Sequence, residues 1–434
     1  MHRIRRARDR YGVLLGNVAA RVAALLSLAA ATLLLARSEG PAMVGVYALL
    51  RVLPALVGVL AAAGLPTAVP YFLAGPRSQD RRLPYTICLI AAGGGALGTA
   101  VWAVGSSVAG TALFPQLSQP LVLAAGVMVA TQVSIVTAKS CSQGGGDMAG
   151  ANRVIFTEQF LFLPVYCVLW SAGLGGYGLL IAAALAADVA TLLLAWGRLL
   201  RRGFFALAAP PSAALARDLA TYGLRAQVGS LMSMLNLRLD FVILGLMTTP
   251  TVLGVYAVAS KYAELIKVPT VALAYVLYPK YARDGRTRAT ETVRRTLPKA
   301  GLASFCAVIP LWFASVVVIP VLYGSDFTDA VLPAQIILVG FALEGMSGVL
   351  TGYFYGIGRP GVNSAATAVG LLTTVVLDLI LIPRFHETGA AAASACAYSA
   401  TTLSLIWFFL WLSRGRASAL PWPHRALADK DIAR

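Results

Sequence analysis

The chain has 434 residues, 58% of them apolar and only 12% charged, with a formal net charge of +17. Soluble domains run at roughly 45–50% apolar and 25% charged, so a water-soluble globule is excluded. The positive charge does not point to nucleic acid either, because no basic and aromatic module lies outside the apolar stretches; it reads as a topology signal and as attraction to anionic headgroups.

In chain order, twelve apolar stretches offer themselves as membrane crossings: residues 13–36, 43–62, 85–109, 121–137, 155–170, 177–196, 219–246, 252–277, 301–322, 331–353, 362–382 and 390–412. A helix needs about 20 residues to cross a hydrocarbon core of about 30 Å, and the fourth and fifth stretches are short by that measure. The expected fold is therefore an all-α polytopic membrane protein of about twelve transmembrane helices. Residues 2–10 are basic and precede an apolar run, as in a signal peptide. Arg21 inside that run, and a counterpart of the region in the second half, argue for a retained first helix. Of the 35 Lys and Arg, 27 sit in the tails and every second loop, 2 in the remaining loops (Arg37, Arg384) and 6 inside the stretches. The positive-inside rule then predicts a multi-pass protein of the cell (inner or plasma) membrane with both termini in the cytoplasm. The five cysteines are scattered along apolar segments and read as small hydrophobes. No metal or cofactor is expected.

The halves repeat. GVYALLR (45–51) recurs as GVYAVASK (254–261) at an offset of 209, and Gly150, Asn152, Gly178 and Trp196 match Gly361, Asn363, Gly389 and Trp407 at an offset of 211. Six crossings per half is an even number, so the second half enters from the same side and the two predicted lobes, 1–205 and 206–434, are parallel. The joint between them, residues 198–217, is polar and carries Arg201, Arg202 and Pro210-Pro211. Residues 280–299 are rich in arginine and suit an interfacial helix.

Charges inside the crossings carry the chemistry. Arg21, Arg51, Arg225, Arg238, Lys261 and Lys267, with Glu158, Asp188, Asp240, Glu264, Glu344 and Asp378, lie within predicted crossings. Each Arg, Lys or Asp costs about 2.5–3.5 kcal/mol at mid-membrane, so these groups should face water, a partner or a headgroup boundary. Arg51 and Lys261 follow the two GVY motifs at near-equivalent positions and are expected to face each other across the pseudo-symmetry axis. Lys261, Glu264 and Lys267 share one helix face; Arg21 shares a face with Asn17, four residues earlier. Arg238 and Asp240, two apart, must point different ways. Arg225 suits a snorkelling position, Glu158 a boundary pair with Arg153, and Asp378 a place near the outer face. Arg21, Arg51, Arg238, Lys261 and Lys267 are the candidate substrate cations; Asp188, Asp240, Glu264 and Glu344 are the candidates for coupling or charge pairing. Structural ion pairing is the competing reading for all of them. A cation-lined site calls for an anionic substrate such as a diphosphate, whose oxygens match the donors of Arg and Lys.

Several stretches resemble the flippases of polysaccharide biosynthesis that export polyprenyl-diphosphate-linked oligosaccharides, in the MOP superfamily that also holds the multidrug and toxic-compound extruders (MATE). They are GVYALLRVLPALVGVLAAAGLPTAVPYF (45–72), LRLDFVILG followed by GVYAVASKYAEL (237–265), LYGSDFTDAVLPAQIIL (322–338) and YGIGRPGVNSAATAVGLLTTVVLDLILIPRFHETGAAAASACAYS (355–399). The resemblance implies two six-helix lobes in alternating access, with Arg21, Arg51 and Lys261 in the region where such flippases hold a lipid diphosphate. Lipid II flippases typically have fourteen helices, so twelve favours the surface-polysaccharide branch and leaves the path of the polyprenyl tail open. The expected partners are the polyprenyl-diphosphate-linked glycan, the lipid bilayer, a coupling H+ or Na+, and a glycan polymerase or glycosyltransferase. The alternatives are a MATE-type drug/cation antiporter, a lipid II flippase, a polytopic polysaccharide polymerase or ligase, and a non-transporting scaffold. Short, nearly uncharged external loops weigh against the enzyme. The glycine runs 93–95 and 144–146 lack the Lys-Ser/Thr ending of a P-loop and suit close helix packing or helix ends.

Overall fold

A computed structural model describes residues 2–75 and 77–413; the predicted cytoplasmic tail, residues 414–434 with His424, lies outside the described residues. Helix dominates, and among the described residues no strand forms. Proline opens many of the helices, where its fixed φ suits the first turn and its missing N–H is not needed. It does so at α2 (Pro41–Ala61), α3 (Leu65–Ala74), α4 (Leu83–Leu113) and α5 (Gln119–Ala125), which follow α1 (His2–Glu39). Then come α6 (Val127–Gly144), α7 (Met148–Phe160), α8 (Phe162–Ser171), α9 (Gly176–Arg201), α10 (Ala213–Met247) and α11 (Pro250–Ala263). The rest is α12 (Lys267–Tyr323), α13 (Val331–Gly340), α14 (Glu344–Gly356) and α15 (Pro360–Ser413), with short 3-10 turns between them.

Ten helical segments among the described residues are long and apolar enough to cross a membrane. Two helices among these account for the difference from the expected twelve. The 54 residues of α15 would reach about 80 Å if straight, far beyond a bilayer core. The helix breaks at His386 (φ 49°, ψ −125°), and a Cβ on Gly389 would strike the Leu381 carbonyl. Residues 360–385 and 387–413 are thus two antiparallel legs. In α12, Thr270 lies on Gly348, both Tyr281 and Thr290 reach Tyr353, and Ala300 and Ser304 lie on Gly345. The chain therefore runs along α14 and back again, turning between Tyr281 and Thr290. The first leg continues α11, whose Tyr262 hydroxyl donates to the Leu311 carbonyl on the returning leg at 2.7 Å. Among the described residues these two reversals bring the ten segments to about twelve crossings, the number expected from the sequence. Residues 280–299 are helical and two-faced: Ala289, Val293, Leu297 and Ala300 are buried on the core while Arg288, Arg294 and Arg295 are exposed. Outward faces carry bare apolar side chains, Val108 of α4 being 82% exposed, as suits contact with lipid.

The chain divides into two compact units, one of Met1–Met234 with Thr249–Gly254 and one of Leu235–Thr248 with Val255–Arg434. This boundary falls inside α10, further along the chain than the polar joint at 198–217. The reason lies in what the first half of α10 touches: Gly223 packs backbone to backbone on Gly64, Gln227 donates to the Val59 carbonyl, and Asp218 pairs with Arg77. In the first unit α3, α4, α6 and α9 share a core of Leu65, Val69, Ile87, Val133, Ile135 and Leu199. A Cβ on Gly94 would collide with the Ala61 carbonyl and one on Gly144 would crowd Pro70, so these two glycines allow close packing; Gly146, at φ +75°, lies just past the end of α6. Asp147, between crossings, caps α7 and takes Arg198 Nε at 2.6 Å; that bond holds its carboxyl below the usual carboxylate range. In the second unit α12, α14 and α15 enclose Tyr281, Val293, Val349, Tyr353 and Phe409.

The two repeat glycines meet inside the first unit. A Cβ on Gly45 would collide with the Pro250 carbonyl, and one on Gly254 with that of Pro41. Here α2 and α11 cross with only hydrogen between their backbones, which explains glycine in both copies of the motif.

Candidate functional site

Each unit holds its own cluster of charges. In the first, Arg51 of α2 is half-buried and its Nη2 donates to Gln159 Oε1 of α7 at 2.8 Å. Glu158 and Asp188 lie near enough for their charges to act on it. Asp188 of α9 is buried and accepts from Thr131 Oγ1 at 2.8 Å and from Gln132 Nε2 at 3.3 Å. Tyr47, Arg51, Gln132 and Asp188 line a cavity of about 10 Å³, room for a single water. Glu158, read from sequence as a boundary partner of Arg153, belongs with Arg51; among the described residues no Arg153–Glu158 ion pair forms. Arg21 of α1 is exposed, with its Nε bonded to Asn17 Oδ1 at 2.8 Å.

In the second unit Glu264 is the bridge. It accepts from Arg238 Nη1 at 3.1 Å and from Lys261 Nζ at 3.5 Å. The backbone explains the alignment: between α11 and α12 the chain tightens into a 3-10 turn, Glu264–Ile266. Three residues per turn there bring Glu264 and Lys267 onto one line, with Lys261 on the neighbouring position of the α-turn before it. The Lys267 ammonium lies 4.6 Å from the ring centre of Phe341 and 4.3 Å from that of Tyr398. Such contacts contribute about 0.5–2 kcal/mol each. Glu344, just after a second 3-10 turn at Phe341–Leu343, is near enough to act on the charge of Lys267. The described side chains of this cluster thus carry three cations against two carboxylates.

Asp240 points away from Arg238's partner, as two residues apart on a helix requires. It is buried and accepts from the Tyr256 hydroxyl, from Ser394 Oγ at 3.3 Å and from the Phe241 N–H at 2.9 Å. Close by is a residue the sequence reading placed at the outer face. Asp378 is wholly buried, and neither of its carboxylate oxygens finds a hydrogen-bond partner among the described residues. Thr374 Oγ1, one turn earlier on α15, and Asn236 Oδ1, one turn before Asp240 on α10, are also buried without partners. Asn236 Oδ1 would lie 3.2 Å from a Cβ on Gly370, so the two helices meet along a seam of unsatisfied oxygens. The signal available in sequence was the spacing: Gly370, Thr374 and Asp378 repeat every four residues, as do Asn236 and Asp240.

A two-unit helical chain with paired charges inside its crossings is a polytopic membrane protein, and its fold is that of the MOP superfamily. It matches the lipid II flippase MurJ in an inward-closed conformation with a TM-score of 0.71 at 14% identity, over 91% of this chain and 87% of that one. It matches an inward-facing multidrug resistance MATE family transporter of the MOP superfamily with a TM-score of 0.70 at 15% identity, over 93% of this chain and 100% of that one. Residues 34–332 match the family described as polysaccharide biosynthesis protein, and the chain belongs to that family. A probable low-salt glycan biosynthesis flippase of Haloferax volcanii is 24% identical over 197 residues, 44% of this chain and 42% of that protein. The chain spans about two fifths of the length of the curated relatives it matches.

Proposed function

We propose that the protein moves a polyprenyl-diphosphate-linked oligosaccharide from the cytoplasmic to the outer leaflet of the cell membrane by alternating access, with both termini in the cytoplasm and the two sequence repeats, 1–205 and 206–434, as its lobes. The observation that carries this reading is the charge set that a member of this family holds inside its crossings. Arg51 and the Arg238–Glu264–Lys261 bridge are only partly buried, so water can reach them. A 3.5 Å contact from Lys261 to Glu264 is weak for an ion pair and can be exchanged for phosphate oxygen. The diphosphate carries about two negative charges, and each is worth about 2.3 kcal/mol per 100 mV. Outward movement against an inside-negative potential is downhill, by about 4–5 kcal/mol per 100 mV. The Asp240–Asp378 seam supports a coupling H+ or Na+ that resets the carrier, since a buried carboxylate without donors is costly until a cation joins it. A polymerase or glycosyltransferase would take up the delivered glycan.

The test is transport in reconstituted vesicles. Arg51→Gln and Lys261→Ala should each slow translocation of a lipid-linked glycan by roughly 10-fold or more, the loss of one charge-assisted contact, with normal protein yield. Normal rates in both variants would return these cations to structural pairing and remove the diphosphate reading.

A further inference from the structure

The first unit also carries a groove of about 620 Å³ lined by Arg217, Asp218, Thr221, Tyr222 and Arg225. All five residues lie on α10, so the groove is shallow and open along one helix face. Arg217, Thr221 and Arg225 are four residues apart, so α10 presents them as one stripe of two guanidiniums with a hydroxyl between. Asp218 does not neutralise them, because Arg77 from beyond α3 already holds it at 2.5 Å. Three guanidiniums against one carboxylate leave two positive charges. Tyr222 forms the floor, its ring stacked on Tyr71 of α3 with centroids 4.3 Å apart.

The groove sits at a boundary of the membrane. The apolar window of α10 begins at Gln227, two residues past Arg225, and tyrosines collect at such interfaces. Arg198, Arg201 and Arg202 at the end of α9 mark this side as the predicted cytoplasmic one. Beside Arg225 and one turn beyond Leu224 the same face is apolar and bare: Leu224 is 54% and Val228 56% exposed. A cationic, hydroxyl-bearing patch thus adjoins an exposed apolar track.

We propose that this groove is the docking site, on the inner-leaflet side, for the diphosphate of a polyprenyl lipid, whose tail lies along Leu224 and Val228. The proposal rests on the flippase reading for its occupant, and it supplies the tail route that the sequence leaves open. Two guanidiniums match the charge of a diphosphate, and their paired N–H donors match its oxygens. A phospholipid headgroup carries only one phosphate and fills half of that demand.

The full-length protein in phosphatidylcholine vesicles, with Thr221→p-benzoylphenylalanine as photo-crosslinker, tests this with radiolabelled geranylgeranyl diphosphate as probe. An adduct should form, and phosphatidylglycerol added to the vesicles should not displace it. Arg217→Gln with Arg225→Gln should lower the yield about 10-fold or more, whereas lysine at both positions should retain part of it, because the charge stays and the fork is lost. All these side chains are exposed, so elution as a monodisperse species should match the parent. Lys261→Ala should leave the adduct intact even where translocation stops. An adduct with no translocation by the parent protein would sink the flippase reading and leave the docking site standing. Equal displacement by phosphatidylglycerol, or an unchanged yield in the double glutamine variant, would overturn the docking site.

Discussion

At the scale of single residues, Asp378 stands out among the described side chains, with both carboxylate oxygens buried and unpartnered. A buried carboxylate without a donor destabilises the fold unless a cation or proton accompanies it. Asp378→Asn keeps the shape and removes the charge. The purified variant should therefore melt at a higher temperature than the parent and lose its response to a sodium or proton gradient, a stability gain set against function. Calorimetry and gradient-dependent transport read the two effects separately; an unchanged gradient response would free Asp378 of any coupling role. The charges of the candidate site were legible in the sequence because an ionised group in an apolar run stands out against a cost of several kcal/mol. Their partners distant in sequence were not. Arg238 meets Glu264 across 26 positions and Arg51 meets Gln159 across 108, and no local pattern reports such a pairing. Arg21 shows the other side: its bond to Asn17, four residues away, is local and was readable.

At the scale of elements, helix existence followed from apolar length and proline placement, while helix shape depended on contacts. The doubling back of α12 was announced by the basic stretch 280–299 between two apolar crossings, whereas nothing in a window of residues announces that Glu264–Ile266 tightens into a 3-10 turn. The crossing of α2 and α11 is where shape can be tested most directly. Gly45→Val should drive the two backbones apart, at a cost of about 1–3 kcal/mol for overpacking, and lower both the yield and the melting temperature of the purified protein. Gly93→Val is the control, because a Cβ there meets nothing within 4 Å. Equal behaviour of the two variants in a thermal melt would mean that the glycine crossing contributes nothing to stability.

At the scale of the whole molecule, the sequence repeat and the compact units divide the chain at different places. The repeat restarts near residue 206, whereas the first unit reaches Met234 and reclaims Thr249–Gly254. A fragment of residues 1–205 lacks the partners of Val59, Gly64 and Arg77, so it should be degraded when expressed alone and recover when residues 206–434 are supplied in the same cell. Immunoblots of membrane fractions measure this, and full accumulation of the lone fragment would show that the α10 contacts are dispensable. The same arrangement has a consequence for biogenesis. A ribosome making about 5–20 residues per second needs roughly 3–10 s to go from residue 205 to Gly254. During that interval six crossings are already threaded, and Leu235–Thr248, which belongs to the other unit, emerges before the last piece of the first. The insertion machinery must therefore keep a half-made bundle from pairing wrongly with neighbouring chains, and synonymous codons that slow translation just before Gly254 would lengthen that exposure.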